Sequence, residues 1–537
     1  MFIRRISIDK YKVLEDVEIN FSEKPNHNVF PIISINGGGK STLLQVIFAF
    51  LHCAFKETRQ DYLATLLQYF DGKNDGLDKL IEFEIEHEGQ IIELEFFRCK
   101  NGYKKLNFDS ILVLEDLHKQ REEINEAVRK IEHLNKLKED VKKSNISSSL
   151  VWNELKGFLK NGENDAHYGS HEASHQLEFI EGVKKKIENA FISEDELNAY
   201  LIKAEANKNH LIDRLEKDKM TYALHFDGNK DVLLYKSNVN DDVLSDISDR
   251  IYLAVPNTQI LHFLEDDELS SLFTNKKHLY SSYEHYVKQC QERLTGLFTY
   301  DFAAIELILE AFRKARDDDF KKAIETGKYG SQIGQTREEL NNLLSGKSIT
   351  IDKDFKGVTF KSSGSQTKLT PKDLSHGELK KLSIYIWLKA RTQDDSVILM
   401  DEVEVGLHPS WQHELYHDLQ KWSKGNQYLL ATHSPQIISN TYFKNLVVLN
   451  RTETGTSAEQ FDEAPLESDL NTIVKTIMGS DYIPKELNEL RKQYRILFEK
   501  GKTETSKAQK IKEQILEYES ENSSFFQDLK FRMSFQV

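Results

Sequence analysis

From Ile32 to Leu44 the chain runs through an apolar stretch (Ile32, Ile33, Ile35), then Asn36-Gly37-Gly38-Gly39, then Lys40-Ser41-Thr42 and more apolar residues. Glycines let a backbone curl until successive amides point at one centre, and a helix starting there adds its positive end. Phosphate oxygens are the ligand such a turn suits. With a nucleoside triphosphate, the segment from Asn36 to Thr42 would cradle the phosphates and Lys40 would reach the β- and γ-groups. The Ser41 hydroxyl would ligate Mg²⁺. Ser34 stands where the first glycine of such a loop is expected.

Three further stretches carry matching chemistry. Val397-Ile398-Leu399-Met400-Asp401-Glu402 is an apolar strand ending in two acids. Asp401 would hold Mg²⁺ through its water shell, and Glu402 would orient or deprotonate an attacking water, which makes the chemistry hydrolysis. Leu374-Ser375-His376-Gly377-Glu378 precedes a helix expected to start at Leu379, so a hydroxyl, a glycine and a helix N-terminus face an anion together. Leu429-Leu430-Ala431-Thr432-His433-Ser434 ends an apolar strand in a histidine able to hydrogen-bond a γ-phosphate.

These residues need a parallel α/β scaffold. Alternation from Phe2 to Phe21, with a polar break beginning at Asp9-Lys10, predicts a hairpin leading into the strand before Lys40. The helix after Lys40 is apolar nearly all round and should be buried. Leu80–His87 and Ile91–Cys99, joined by Glu88-Gly89-Gln90, predict a second hairpin. From about Leu112 to Met220 the sequence becomes helical and charge-rich, with interrupted seams (Leu117, Ile124, Val128, Ile131; Leu197, Leu201, Ala204, Leu211, Leu215) and a hinge or tip at Asn161–Asp165. The insert reads either as a projecting coiled coil or as helices packed on the head. Strands are expected at Tyr222–Tyr235, Ile251–Val255 and Ser348–Phe360, and helices at Ser281–Ile324 and Pro484–Glu519. The division that follows is 1–110 (first lobe with the Lys40 loop), 111–221 (helical insert), 222–347 (rest of that lobe and a helical subdomain), 348–460 (second lobe) and 461–537 (helical C-terminal region).

Composition narrows the function classes. The 537 residues are 39% hydrophobic with a formal charge of −15, enough for a large core and against a uniformly basic nucleic-acid coat. Cys53, Cys99 and Cys290 are widely spaced without a CxxC pair, which argues against a disulfide framework. No apolar run is long enough to cross a bilayer, and the chain reads as soluble and cytoplasmic with no membrane partner. Lys184-Lys185-Lys186 and the lysines from Lys500 to Lys512 could meet a DNA backbone or be solvated helix faces. His171-Glu172-Ala173-Ser174-His175 spells HExxH, but its polar surroundings and missing third ligand favour a histidine-rich helix entry over a zinc site.

In their order, the Lys40 loop, Leu374–Glu378, Asp401-Glu402, Gly406-Leu407-His408-Pro409 and His433 resemble the ABC-type ATPase heads of the SMC class. The resemblance implies a two-lobed α/β P-loop head using ATP and Mg²⁺. Leu374–Glu378 would be the signature motif, Gly406–Pro409 the D-loop, His433 the switch histidine and Gln259 the Q-loop glutamine at the metal. It also implies a head-to-head dimer or higher oligomer, with Ser375 and Gly377 acting in trans. Length and the modest insert are similar to the Septu antiphage ATPases, including those of retrons. That likeness implies an HNH nuclease partner and, in retrons, a reverse transcriptase with its multicopy single-stranded DNA. No Toprim-like acid pattern follows Asn450, so cutting activity is expected from the partner. Two alternatives stand: a RecF- or SMC-like repair ATPase acting directly on DNA, and a scaffold that binds ATP but scarcely hydrolyses it.

Overall fold

The computed structural model describes residues 1–21, 28–68, 70, 77–100, 136, 139, 220–226, 231–263, 279–300, 304–364, 367–423, 425–453, 455–461, 472–479 and 483–533. The seam residues of the helical insert, its hinge or tip at Asn161–Asp165, the HExxH stretch and Lys184–Lys186 lie outside the described residues. The chain divides into two compact units, Met1–Tyr62 with Phe83–Ile92 and Val239–Val537, and Leu63–Glu82 with Glu93–Asn238.

The strands are β1 Phe2–Tyr11, β2 Leu14–Asn20, β3 Val29–Ser34, β4 Leu77–His87, β5 Gln90–Cys99, β6 Thr221–Phe226, β7 Asp231–Ser237, β8 Ile251–Val255, β9 Leu297–Thr299, β10 Lys347–Ile351, β11 Val358–Ser362, β12 Lys368–Leu369, β13 Val397–Asp401, β14 Gln427–Ala431, β15 Val447–Arg451 and β16 Thr456–Gln460. The helices used below are α1 Lys40–Phe48, α2 Gln60–Leu67, α3 Asp241–Ser248, α4 Leu279–Arg293, α5 Ala304–Thr326, α6 Gln332–Asn342, α7 His376–Ala390, α8 Pro409–Trp422, α9 Pro435–Ser439, α10 Lys485–Glu499, α11 Ser506–Leu516 and α12 Ser524–Met533.

In the first unit strands lie side by side in the order β1-β2-β16-β15-β3-β14-β13-β8-β9. From β15 to β9 every neighbouring pair is parallel. Parallel strands are covered on both faces, which is why β8, β13 and β14 are buried along their whole length. Register sets Ile32 beside Ala431 and Ala431 beside Asp401, so the carboxyl ends of β3, β14 and β13 are level. Helix α1 packs on β13, β8 and β14. Its Leu43, Leu44, Ile47 and Phe48 are fully buried, and it continues through a π-helical turn, Ala49–Cys53. Truncating a fully buried phenylalanine of this kind costs about 3–5 kcal/mol. A second apolar cluster joins Tyr252, Ile398, Met400 and Leu430 of the sheet to Phe312 of α5, Trp387 of α7 and Leu419 of α8. Trp387 stacks on Phe298 with ring centroids 4.7 Å apart. Helices α10, α11 and α12 carry their own core, including Tyr494, Phe498, Ile511, Ile515 and Phe525.

In the second unit β7 pairs antiparallel with both β5 and β6, and the buried guanidinium of Arg98 bonds the Asp231 carboxylate at 2.7 Å.

Several sequence expectations meet small corrections. The first hairpin forms, and its turn is Lys12-Val13, just beyond the start of the polar break at Asp9-Lys10: Lys10 still pairs with Glu15 inside the ladder, and Lys12 takes the left-handed conformation. The second hairpin turns at Glu88-Gly89, both with positive φ as a two-residue turn requires. Between Ser281 and Ile324 the buried strand β9 interrupts the expected helix.

Candidate functional site

Four neighbouring parallel strands, β3, β14, β13 and β8, deliver the Lys40 loop, His433, Asp401 and Gln259 from their carboxyl ends. Loops leaving that edge of an open parallel sheet are where such folds bind ligands. In the loop, Gly37 and Gly39 have φ of 76° and 90°. Gly38 must lack a side chain because a Cβ there would lie 2.5 Å from Ser34 Oγ. Its amide bonds Ile35 O at 3.0 Å.

Lys40 is buried, with 7% exposure. Its ammonium donates to Ser34 Oγ at 3.0 Å and meets His433 Nε2 at 2.8 Å. Two cations would repel at that separation, so the imidazole accepts the bond as a neutral ring. Burial, then the charge of Lys40, pushes the His433 pKa down; Asp401 pulls the other way. Burial also lowers the Lys40 pKa, against the attraction of Asp401, Glu404 and Glu402.

Asp401 is 1% exposed. Its Oδ2 accepts from Gln259 Nε2 at 2.6 Å, while Oδ1 has no hydrogen-bond partner among the described residues. Gln259 in turn accepts from Gln45 of α1 at 3.4 Å. A buried carboxylate oxygen left without a partner is costly unless a cation or water meets it. The Ser41 hydroxyl, Asp401 carboxylate and Gln259 amide oxygen are the hard oxygen donors Mg²⁺ takes, so the residues present fit that ion. Glu402 follows with φ 50°, a strained conformation for a residue with a side chain, and its amide bonds Ala431 O at 3.1 Å.

Ser375 and Gly377 sit apart from this cluster in the bonds they make. The helix starts at His376, not Leu379, because Ser375 caps it: Ser375 Oγ accepts from the Glu378 amide at 3.2 Å, and the Glu378 carboxylate accepts from the Ser375 amide at 2.8 Å. Glu378 also pairs with Lys347 at 2.6 Å. Gly377 packs on the D-loop candidate, where a Cβ would come 2.6 Å from Gly406 O.

Sequence reading missed Gln45, Glu404, Lys380 and Gln412. The signal for Gln45 is that it is the one polar residue among Leu43–Phe48 of α1. Glu404 is 8% exposed, and its Oε1 accepts the His433 amide at 2.6 Å.

The AAA ATPase domain family matches residues 1–438. Over 119 residues the chain is 25% identical to the Retron Vc95 probable ATPase of Vibrio cholerae serotype O1 biovar El Tor, covering 22% of this chain and 23% of that protein. Over 53 residues it is 38% identical to the Retron Ec83 probable ATPase of Escherichia coli, 10% of each chain. These matches span less than a quarter of either relative. Among solved structures, the chain is similar to the SMC head domain from Thermotoga maritima, with 11% identity, 86% of this chain and 100% of that chain covered, and a TM-score of 0.35. It is also similar to the SmcHead bound to the C-winged helix domain of ScpA, with 9% identity, coverage of 86% and 98%, and a TM-score of 0.37. With four-fifths of its length inside the matched stretch, the Lys40 loop and Asp401 included, the chain belongs to the AAA ATPase domain family.

Proposed function

We propose that the chain binds and hydrolyses Mg²⁺-bound ATP, that two copies close on the nucleotide, and that the nucleotide state regulates a separate HNH-type nuclease in a bacterial antiphage system of retron type. The observation carrying this reading is the meeting of the Lys40 ammonium, neutral His433 and the half-partnered Asp401 carboxylate at adjoining strand ends. Retron association rests on the two relatives' names; in that setting a reverse transcriptase and its single-stranded DNA are further partners. Contact with DNA belongs to the same proposal.

Residue roles follow from chemistry. Lys40 exchanges Ser34 and His433 for the β- and γ-phosphates, with the Asn36–Gly39 amides and Thr42 lining the phosphate chain. Ser41, Asp401 and Gln259 would hold Mg²⁺, which neutralises phosphate charge when bound. Glu402 takes a proton from water as its oxygen attacks the γ-phosphorus, the bond to the β,γ-bridging oxygen breaks, and ADP leaves with that oxygen. Once Lys40 has left it, the neutral His433 ring carries its proton on Nε2 in place of Nδ1 and donates it in a hydrogen bond to a γ-phosphate oxygen. Ser375 and Gly377 would face the nucleotide of the second copy, a reading supported by a helix start whose capping bonds close on Glu378.

The test is Glu402→Gln. We expect phosphate release to fall by about 10²-fold or more, with ATP retained and a dimer by light scattering. Turnover equal to the parent's would end the mechanistic assignment, and DNA-stimulated turnover without any protein partner would move the reading to a DNA-acting ATPase.

A further inference from the structure

The turn from Glu402 to Leu407 is gripped by three other elements. Within it, the Val405 amide bonds Glu402 O at 3.2 Å and the Leu407 amide bonds Glu404 O at 3.0 Å. From α7, the buried Lys380 ammonium donates to Glu402 O at 3.1 Å and Val405 O at 2.9 Å, lying 4.1 Å from the centre of the Tyr300 ring. From α8, Gln412 donates to Glu404 O at 3.3 Å and Leu407 O at 2.9 Å, while its own oxygen accepts from the Ser434 hydroxyl at 2.7 Å. At the end of β14, the His433 amide donates to Glu404 Oε1.

Glu404 is the unexpected member. Its carboxylate is more than nine-tenths buried, Oε2 has no hydrogen-bond partner among the described residues, and burial pushes its pKa up. Burying a carboxyl is unfavourable by itself, and burial outweighs what the His433 amide, the Thr432 hydroxyl and the Lys380 charge give back, so stability alone does not account for it. What that bond fixes is the backbone of the residue whose ring touches Lys40.

We infer that Glu404, braced through its turn by Lys380 and Gln412, is the positioning residue that sets His433 against the phosphate site. The inference rests on the ATPase reading above for its consequence, but its geometry can be tested without turnover. Glu404→Met keeps the volume and removes the acceptor; Glu404→Gln keeps an oxygen able to accept the same amide.

In nucleotide-free protein, hydrogen exchange of the segment Thr432–Ser434 should quicken at least about tenfold in Glu404→Met and stay within about threefold of the parent in Glu404→Gln, with β1 and β2 unchanged as a fold control. In turnover, Glu404→Met should lower kcat by about tenfold while binding of a fluorescent ATP analogue stays within about threefold, and Glu404→Gln should restore kcat. Lys380→Met, from a different helix, should weaken protection of the same segment in the same direction. Unchanged protection in Glu404→Met overturns the inference, as does a Glu404→Gln variant as impaired as Glu404→Met. If Glu404→Met also loosens β1 and β2, the Glu404→Gln and Lys380→Met results decide alone. A parent enzyme without turnover, combined with the expected exchange pattern, would remove the ATPase reading and leave the positioning of His433 standing.

Discussion

The Lys40 loop and the Ser375 helix start are both glycine-containing entries to a helix, yet they are built in opposite ways. Lys40 meets Ser34 six residues before it and His433 nearly four hundred residues after it, and the acids around it, Asp401 and Glu404, each keep one oxygen without a hydrogen-bond partner among the described residues. Ser375 closes on Glu378 three residues later, and Glu378 completes its bonds with Lys347. One region is assembled by the sheet and leaves acid oxygens that a cation could meet; the other closes its hydrogen bonds through its own helix start and Lys347. That difference suits a site in which one half holds the nucleotide and the other is brought to it.

The largest effect tests this division directly. Lys40→Ala should weaken ATP binding by about 10²-fold or more in titrations of dilute protein. Ser375→Arg, whose bulk would block a mating surface, should leave that binding within about threefold but cut steady-state phosphate release by about 10²-fold. If both substitutions weaken binding equally, the two regions form a single site within one chain and the comparison fails.

How far each region could be read from sequence follows the same line. Strand, loop and helix around Lys40, and the apolar strand ending in Asp401, were legible because periodicity and glycine placement are local signals. The helix start was misplaced at Leu379 because Gly377 reads as a breaker, although Ser375 and Glu378 form a capping box that carries the helix through it. Gln45 and Glu404 acquire roles only when β3, β13, β14 and β8 stand side by side. The order of those strands is a tertiary fact that no window of sequence contains. Resemblance alone pairs Gln259 with Asp401, and the bond between them shows the sheet order bringing the two together.

Acid should separate the two regions next. Beyond α1 the chain reaches His52, buried, with Nδ1–H donating to Ser248 O at 2.7 Å and Nε2 accepting from the Gly296 amide at 3.3 Å. Both ring nitrogens are committed to the neutral form, and burial, followed by the Arg59 charge, lowers the pKa to about 3. Because this folded value lies below the unfolded one near 6.5, the contribution is complete above pH 6.5 and is lost as pH falls toward 3. Between pH 6.5 and 5 the loss from His52 is about 2 kcal/mol. Glu378 behaves differently: burial alone would raise its pKa, but Lys347 and the Ser375 bonds outweigh burial and hold it below the usual carboxylate range. The cap should therefore remain charged across this window. Denaturant titrations at the two pH values should show a drop that shrinks by about 2 kcal/mol in His52→Asn and is left as it was in Glu378→Gln. Equal pH responses in parent and His52→Asn would show that His52 is not held neutral.

The smallest effect concerns Ser34, which departs from the usual loop pattern and now has a physical account. Its hydroxyl holds the Lys40 ammonium at 3.0 Å and donates to Ile35 O at 2.7 Å, so a phosphate must displace it to reach the lysine. A hydrogen bond from a charged donor is worth about 1.5 kcal/mol at the low end of its range. Ser34→Gly should accordingly tighten ATP binding by roughly tenfold, and it also relieves the crowding that obliges residue 38 to be glycine. The same substitution leaves the Ser375 cap untouched, so any dimer formed with the Glu402→Gln background should gain only what the tighter nucleotide supplies. A Ser34→Gly chain that binds ATP more weakly than the parent would mean that the serine supports the phosphate site instead of competing with it, and the Lys40 region would then be as self-sufficient as the helix start it is contrasted with.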